Sequence, residues 1–125
     1  MPEIRFTATI PILRMFDIAA TRDFYVGYLG LEIAWEHRFG EGMPLYMEVR
    51  RGALQLHLSQ HHGDATPGSA VFLKMDGVDA LHAELKAKAY GFARPAIETA
   101  PWGARTLTVL DPAGNRLFFN DYGSA

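Results

Sequence analysis

The feature that most constrains this 125-residue chain is a pattern that occurs twice. An apolar residue and an Asp open a helical stripe that a glycine closes, first from Phe16-Asp17 to Gly30 and again from Met75-Asp76 to Gly91. Strand-forming residues precede each occurrence and three further strand-like runs follow it, so each half reads β-α-β-β-β. A repeat at this spacing implies two similar units sharing one core, here by pattern rather than by identity. The predicted fold is therefore α+β, a single domain of two βαβββ modules at about 4–58 and 70–121, joined by a Gly- and Pro-containing linker at 59–69.

Within the first module, Arg5 to Leu13 predicts the opening strand. Asp17 is the expected N-cap of a helix carrying Ile18, Phe24, Tyr25, Tyr28 and Leu29, with Gly30 as its C′ residue. The odd positions Leu31, Ile33, Trp35, His37 and Phe39 then alternate with Glu32, Glu36 and Arg38, the period of a strand. Pro44 to Arg50 predicts the next strand, and Ala53 to Leu58 the last, with Leu54, Leu56 and Leu58 on one face. In the second module Ala70 to Met75 reads as a strand, and Asp76 as the cap of a helix carrying Val78, Leu81 and Leu85 with Asp79 at N3. Phe92 to Ile97 follows, then a hairpin from Pro101 to Asn120. Its turn is Asp111-Pro112-Ala113-Gly114-Asn115: Asp bonds local backbone, Pro presets φ at the first corner, and Gly or Asn accepts φ > 0.

Composition excludes several classes of function. With 49% hydrophobic and 12% aromatic residues the chain can bury a real core. A net charge of −2 with scattered Lys and Arg gives no footprint for nucleic acid or an anionic membrane. The absence of cysteine removes disulfides, thiol catalysis and thiolate metal sites. No signal peptide or membrane-length apolar run is visible, so the expected location is cytoplasmic. Neither a serine-nucleophile elbow nor a phosphate-cradling glycine loop occurs.

The strand faces turned away from the helices carry the candidate site. Face parity assigns to them Tyr46, Glu48, Gln55, His57, Phe72, Lys74, Thr106, Thr108, Phe118 and Asn120. Trp35, Phe39 and Tyr46 cluster on two strands joined by a Gly-rich turn, and Glu48 with His57 forms either an acid-base pair or a structural hydrogen bond. Trp102, between Pro101 and Gly103, is either a stacking platform on a rigid turn or a core plug. An aromatic, mostly uncharged cleft of this kind suits a planar or amphipathic small molecule.

Taken together, the paired modules, the Pro11-Ile12-Leu13 strand, Asp17 with Phe24-Tyr25 and Leu29-Gly30-Leu31, Pro101-Trp102-Gly103 and Asp111-Pro112-Ala113-Gly114-Asn115 resemble the glyoxalase, bleomycin-resistance and extradiol-dioxygenase (vicinal oxygen chelate) superfamily over nearly the whole chain. The resemblance implies curved mixed sheets around a cleft. It also implies, for enzyme branches, a divalent metal held by one residue on the first strand and one near the last strand of each module. The matching positions are Ile10, Gln55 or His57, Ala70, and Phe118, three of which cannot ligate. His57, His61 and His62 are the remaining imidazole cluster, but His61 and His62 fall in the Gly63-Asp64 linker, where solvation explains them. No metal, cofactor or catalytic residue is therefore expected.

The resemblance is closest to the bleomycin-resistance-like branch, which implies a non-catalytic antibiotic-binding protein that sequesters its ligand at a dimer interface. Pro11 matches the hinge about which that branch exchanges its N-terminal strand between subunits. The expected ligand-binding residues are Trp35, Phe39, Tyr46, Glu48, His57, Trp102 and Phe118. The alternatives are a metal-dependent glyoxalase-like lyase or dioxygenase, with a ligand set rebuilt around Glu48 and His57, and a small regulatory domain that only dimerises.

Overall fold

The computed structural model describes residues 3–88, 90, 91 and 94–123. The elements run β1 (Ile12–Arg14), α1 (Ile18–Arg22, continued by a wider turn over Asp23–Tyr28), β2 (Glu32–His37), β3 (Tyr46–Arg51), β4 (Leu54–Ser59), β5 (Ala70–Lys74), α2 (Val78–Lys88), β6 (Ile97–Thr99), β7 (Arg105–Leu110) and β8 (Arg116–Asp121). Two four-stranded sheets result, ordered β1-β4-β3-β2 and β5-β8-β7-β6. In each, the first strand pairs parallel with the last and the other pairings are antiparallel. The fold is thus α+β, with two βαβββ modules of matching strand order. Among the described residues no helix is long and apolar enough to cross a membrane.

One core serves both modules. Met47, Val49, Leu56 and Leu58 of the first sheet and Leu107, Val109 and Leu117 of the second are buried with Phe24, Tyr25, Val78 and Leu85 of the helices. Removing each such side chain from water is worth about 1.5–3 kcal/mol. The face parity read from Leu54-Leu56-Leu58 and Leu107-Val109 therefore places the core correctly.

The Asp111-to-Asn115 turn is more than a hairpin corner. Asp111 and Asn115 are buried. Asp111 Oδ1 accepts the backbone N–H groups of Ala113 and Asn115 at 3.0 and 2.7 Å, while Oδ2 accepts Asn115 Nδ2 and the Tyr25 hydroxyl at 2.9 and 2.6 Å. Asn115 Nδ2 also donates to the Arg14 carbonyl at 3.0 Å. One turn of the second module thus grips both the helix and the first strand of the first. Burial, then the Asp111 charge, drives the Tyr25 pKa well above the ordinary tyrosine value. On the far side of the seam Arg51 forks onto Glu84 at 2.8 and 2.9 Å, passing over Gly30, where φ is +72° and an added Cβ would sit 3.1 Å from the Arg51 guanidinium.

Several local expectations need correction. Arg5 to Leu13 is not a strand along its length: only Ile12–Arg14 joins the ladder, and Ile4 and Phe6 are 91% and 92% exposed. A propensity for extended backbone yields a strand only where a neighbour can complete the hydrogen bonds. Asp17 does cap α1, accepting the Ala20 N–H at 2.9 Å, but the helix then widens, with Leu29 N–H bonding the Phe24 carbonyl at 2.9 Å. That i→i+5 turn lets Phe24, Tyr25, Tyr28 and Leu29 all face the core.

Strict alternation in β2 fails at Ala34. Ile33 lies opposite Val49 and Trp35 opposite Glu48, so one extra residue forms a bulge that sends Ile33 toward the core and Trp35 to the open face. Asp76 is not the cap of α2, because Asp121 at the end of β8 takes the Gly77 and Val78 N–H groups on Oδ2 at 2.9 and 3.0 Å. Those bonds, with one from Gly123, hold the Asp121 pKa below the usual carboxylate value. Gly91 does not adopt the positive φ that Gly30 adopts. The strand expected from Phe92 to Ile97 lies at Ile97–Thr99 instead, and Phe92 and Ala93 fall outside the described residues.

Candidate functional site

On the open face of the first sheet, adjacent strands align the predicted polar and aromatic residues in two neighbouring rows. The registers Trp35↔Glu48, His37↔Tyr46 and Glu48↔His57 bring them side by side. The Tyr46 hydroxyl lies 2.6 Å from His57 Nδ1, and His57 Nε2 lies 3.0 Å from Glu48 Oε1. An ionised carboxylate can only accept, so Nε2 carries the proton toward Glu48 and, in the neutral ring, Nδ1 accepts from Tyr46. The result is a directional phenol-imidazole-carboxylate chain with Glu48 buried beneath it. Burial, then the Asp64 and Glu48 charges, raises the Tyr46 pKa, so the phenol keeps its proton at neutral pH.

Trp35 roofs this chain. Its ring is stacked on Tyr46, with centroids 5.8 Å apart and planes 8° from parallel, and meets His57 edge-on at 5.2 Å. Phe39 extends the aromatic surface, packing edge-on against His37 at 4.7 Å and His61 at 5.5 Å. Phe39 and Trp35 remain exposed.

The second module builds its open face from different parts. Trp102 is 55% exposed, which excludes the core-plug alternative. Its ring lies 6.3 Å from Phe72, and its Nε1–H donates to Asn120 Oδ1 at 3.1 Å. Phe118 pairs across the ladders with Phe72 on one side and Thr108 on the other, beneath the Arg116 guanidinium at 5.6 Å. No ionisable side chain takes part in the Trp102–Asn120–Thr106 hydrogen bonds.

The seven candidate residues thus form two groups: Trp35, Phe39, Tyr46, Glu48 and His57 on the first sheet, Trp102 and Phe118 on the second. Among the described residues, no hydrogen bond or ring contact joins the two groups. Phe72, Thr106 and Asn120 belong with the second group. Their signal was present in the face parity, but nothing in the sequence showed that Trp102 would reach back to Asn120.

These residues do not fit a divalent metal. Of the family positions Ile10, Gln55 or His57, Ala70 and Phe118, only the Gln55 or His57 position offers a donor, and both ring nitrogens of His57 are engaged by Tyr46 and Glu48. Among the described residues, no three His, Asp or Glu side chains converge on a common point.

Between the modules lies a trough of about 1070 Å³. Thr7 and Pro11, Leu54 and Gln55 at the start of β4, Leu73 of β5 and Leu81 of α2 are among its walls. It runs along β5, which among the described residues pairs only with β8.

Residues 1–124 match the family described as glyoxalase superfamily protein. No curated protein matches the sequence. Among solved structures, a bleomycin-binding protein from bleomycin-producing Streptomyces verticillus, complexed with copper(II)-bleomycin, is 31% identical over 98% of this chain and 100% of that one, with a TM-score of 0.70. The bleomycin resistance determinant encoded on the transposon Tn5 is 23% identical over 95% of this chain and 100% of its own, with a TM-score of 0.72. An antibiotic-binding protein from a Streptomyces species is 20% identical over 95% and 98%, with a TM-score of 0.69. The last two similarities speak for the fold alone. With its two modules of matching strand order and this near-complete match, the chain belongs to the glyoxalase superfamily, alongside the bleomycin-binding and bleomycin-resistance proteins.

Proposed function

We propose that this protein binds a planar or amphipathic small molecule, of the bleomycin-like antibiotic class, and holds it without altering it. The observation that carries the reading is Trp102: a large ring, 55% exposed, on a turn closed by the Gly103 N–H to Ala100 carbonyl bond at 3.0 Å. An exposed indole held this way offers stacking area at little entropic cost. Trp35, Phe39, Tyr46 and Phe118 supply further aromatic surface, and the Tyr46–His57–Glu48 chain supplies a polar anchor. The 31% identical bleomycin-binding protein supports the choice of ligand class.

The clefts are completed by a second copy of the chain. Support comes from the N-terminal arm, residues 3–11, whose Ile4 and Phe6 side chains find no cover, and from the apolar trough beside the free edge of β5. Exchange of the arms about Pro11 would bury those side chains in the partner. A chain without cysteine gains nothing from an oxidising compartment, which is compatible with action in the cytoplasm.

Titration with metal-free and copper-loaded bleomycin, following the fluorescence of Trp35 and Trp102, tests the binding reading. Saturable quenching is expected, and none at high micromolar drug removes it. Sedimentation tests the assembly: a dimer is expected at micromolar concentration, reduced to monomer by Phe6→Asp. A native monomer would eliminate the shared cleft.

A further inference from the structure

Asn120 has no exposed surface, yet its carboxamide makes four hydrogen bonds within the chain. Nδ2 donates to the Leu73 carbonyl on β5 at 3.3 Å and to its own strand at the Phe118 carbonyl, 3.1 Å away. Because both of those partners can only accept, they fix which end of the amide is nitrogen. Oδ1 must therefore face the opposite way, where it accepts from Thr106 Oγ1 at 2.9 Å and Trp102 Nε1 at 3.1 Å.

This arrangement is unusual for a ring so exposed. A surface indole N–H is satisfied by water and needs no protein partner. Here it is tied instead to a buried amide that cannot rotate without turning its oxygen onto two carbonyl oxygens and its nitrogen onto the indole N–H. The backbone beneath the ring is held as well, by the Gly103 N–H to Ala100 carbonyl bond and by the Ala100 N–H to Ala104 carbonyl bond at 2.8 Å. The indole is thereby restrained at its root and at its edge.

We propose that Asn120 is a positioning residue, presetting the face of the Trp102 indole beside Phe72 so that a flat ligand segment meets a ring already in place. The inference rests on the reading of Trp102 as a ligand-stacking residue. Its physical content is that the rotamer entropy of the indole is lost in the free protein rather than on binding.

The test begins without ligand, in a Trp35→Phe background where Trp102 is the only indole. In the native site the Trp102 Nε1–H is expected to exchange slowly with water, and the fluorescence anisotropy to decay with the tumbling of the whole protein. Asn120→Ala should raise that exchange at least tenfold and add a fast local component to the decay.

Should Asn120→Ala fail to fold, benzothienylalanine at position 102 removes only the N–H and leaves the ring size unchanged. Its affinity for copper-loaded bleomycin should fall several-fold against the native chain. Unchanged exchange and anisotropy in folded Asn120→Ala overturn the proposal, as does full affinity with benzothienylalanine. A native protein that binds no bleomycin strikes the functional reading alone, because exchange and anisotropy in the free protein still decide the part played by Asn120.

Discussion

The open faces of the two modules stand on the same frame of strands and differ in what lies beneath their aromatic rings. Under Trp35 the first module places three titratable groups in a line, Tyr46, His57 and Glu48. Under Trp102 the second module places only neutral ones, Asn120 and Thr106. In both cases an exposed ring is steadied by buried polar atoms, but the means differ: stacking over a charged chain in one, a direct N–H bond to an amide in the other. A duplicated frame evidently fixes where rings can stand without fixing how they are held.

The largest expected effect comes from separating the faces altogether. Asp111→Ala removes the acceptor for Tyr25, for the Asn115 side chain and for two backbone N–H groups at the seam between modules. It should cost about 3–5 kcal/mol in a urea melt. The same seam governs the alkaline limb. Because the Tyr25 pKa is raised in the folded chain, first by burial and then by Asp111, its contribution is whole below the ordinary tyrosine value of about 10 and is lost as pH rises through the raised folded value. Tyr25→Phe should be less stable at neutral pH by about 0.5–1.5 kcal/mol and should show a flatter stability profile in strong base. A variant profile as steep as the native one would place the alkaline sensitivity elsewhere.

Removing each roof ring in turn sharpens the contrast between faces. Trp102→Ala should cost under about 1.5 kcal/mol of folding stability, since Thr106 still satisfies Asn120, while binding of a planar ligand weakens by roughly 0.5–1.5 kcal/mol beyond the lost area. A collapse of the denaturation midpoint would return the binding role to Trp35, Phe39 and Tyr46. Trp35→Ala should weaken binding too, but it also opens the His57 ring to water, so only this variant should shift the imidazole resonances of His57.

The smallest effect is the most specific. Glu48→Gln puts an amide, able to donate or accept, where the carboxylate only accepts, and so releases the constraint on the His57 tautomer. Nitrogen NMR should report Nε2–H alone in the native protein and a mixture of tautomers in Glu48→Gln, with little change in stability. A mixture in the native protein would show that the chain of hydrogen bonds has no fixed direction.

How much of this was legible beforehand follows from which signals are local. Period-two runs such as Leu54-Leu56-Leu58 report one face of one strand, and they located the core and, by subtraction, the open faces. The Asp111-to-Asn115 signature revealed a turn because its chemistry is contained within five residues. Its grip on Tyr25 and Arg14 was hidden because those partners are 86 and 101 positions away. For the same reason Asp76 looked like the cap of α2, while the residue that does the capping lies 44 positions past Gly77. The bulge at Ala34 was hidden for a different reason: an extra residue in a ladder is defined by the opposing strand, and Ile33-Ala34-Trp35 carries no turn residue to mark it.

The capping of α2 by Asp121 bears on the order in which the chain can assemble. A helix whose first amides await an acceptor on the eighth strand cannot be finished while only the seven earlier strands are available. β5 is in the same position, because its ladder partner is that same eighth strand. During synthesis the first module, whose four strands pair only with one another, can close its sheet early. The second, beyond the short β6–β7 pairing, must remain open until β8 emerges, and then gains its helix start and its parallel edge in one step. Such a polypeptide is exposed to proteases and to wrong partners mainly through its second half, for the time the ribosome takes to travel from β5 to β8.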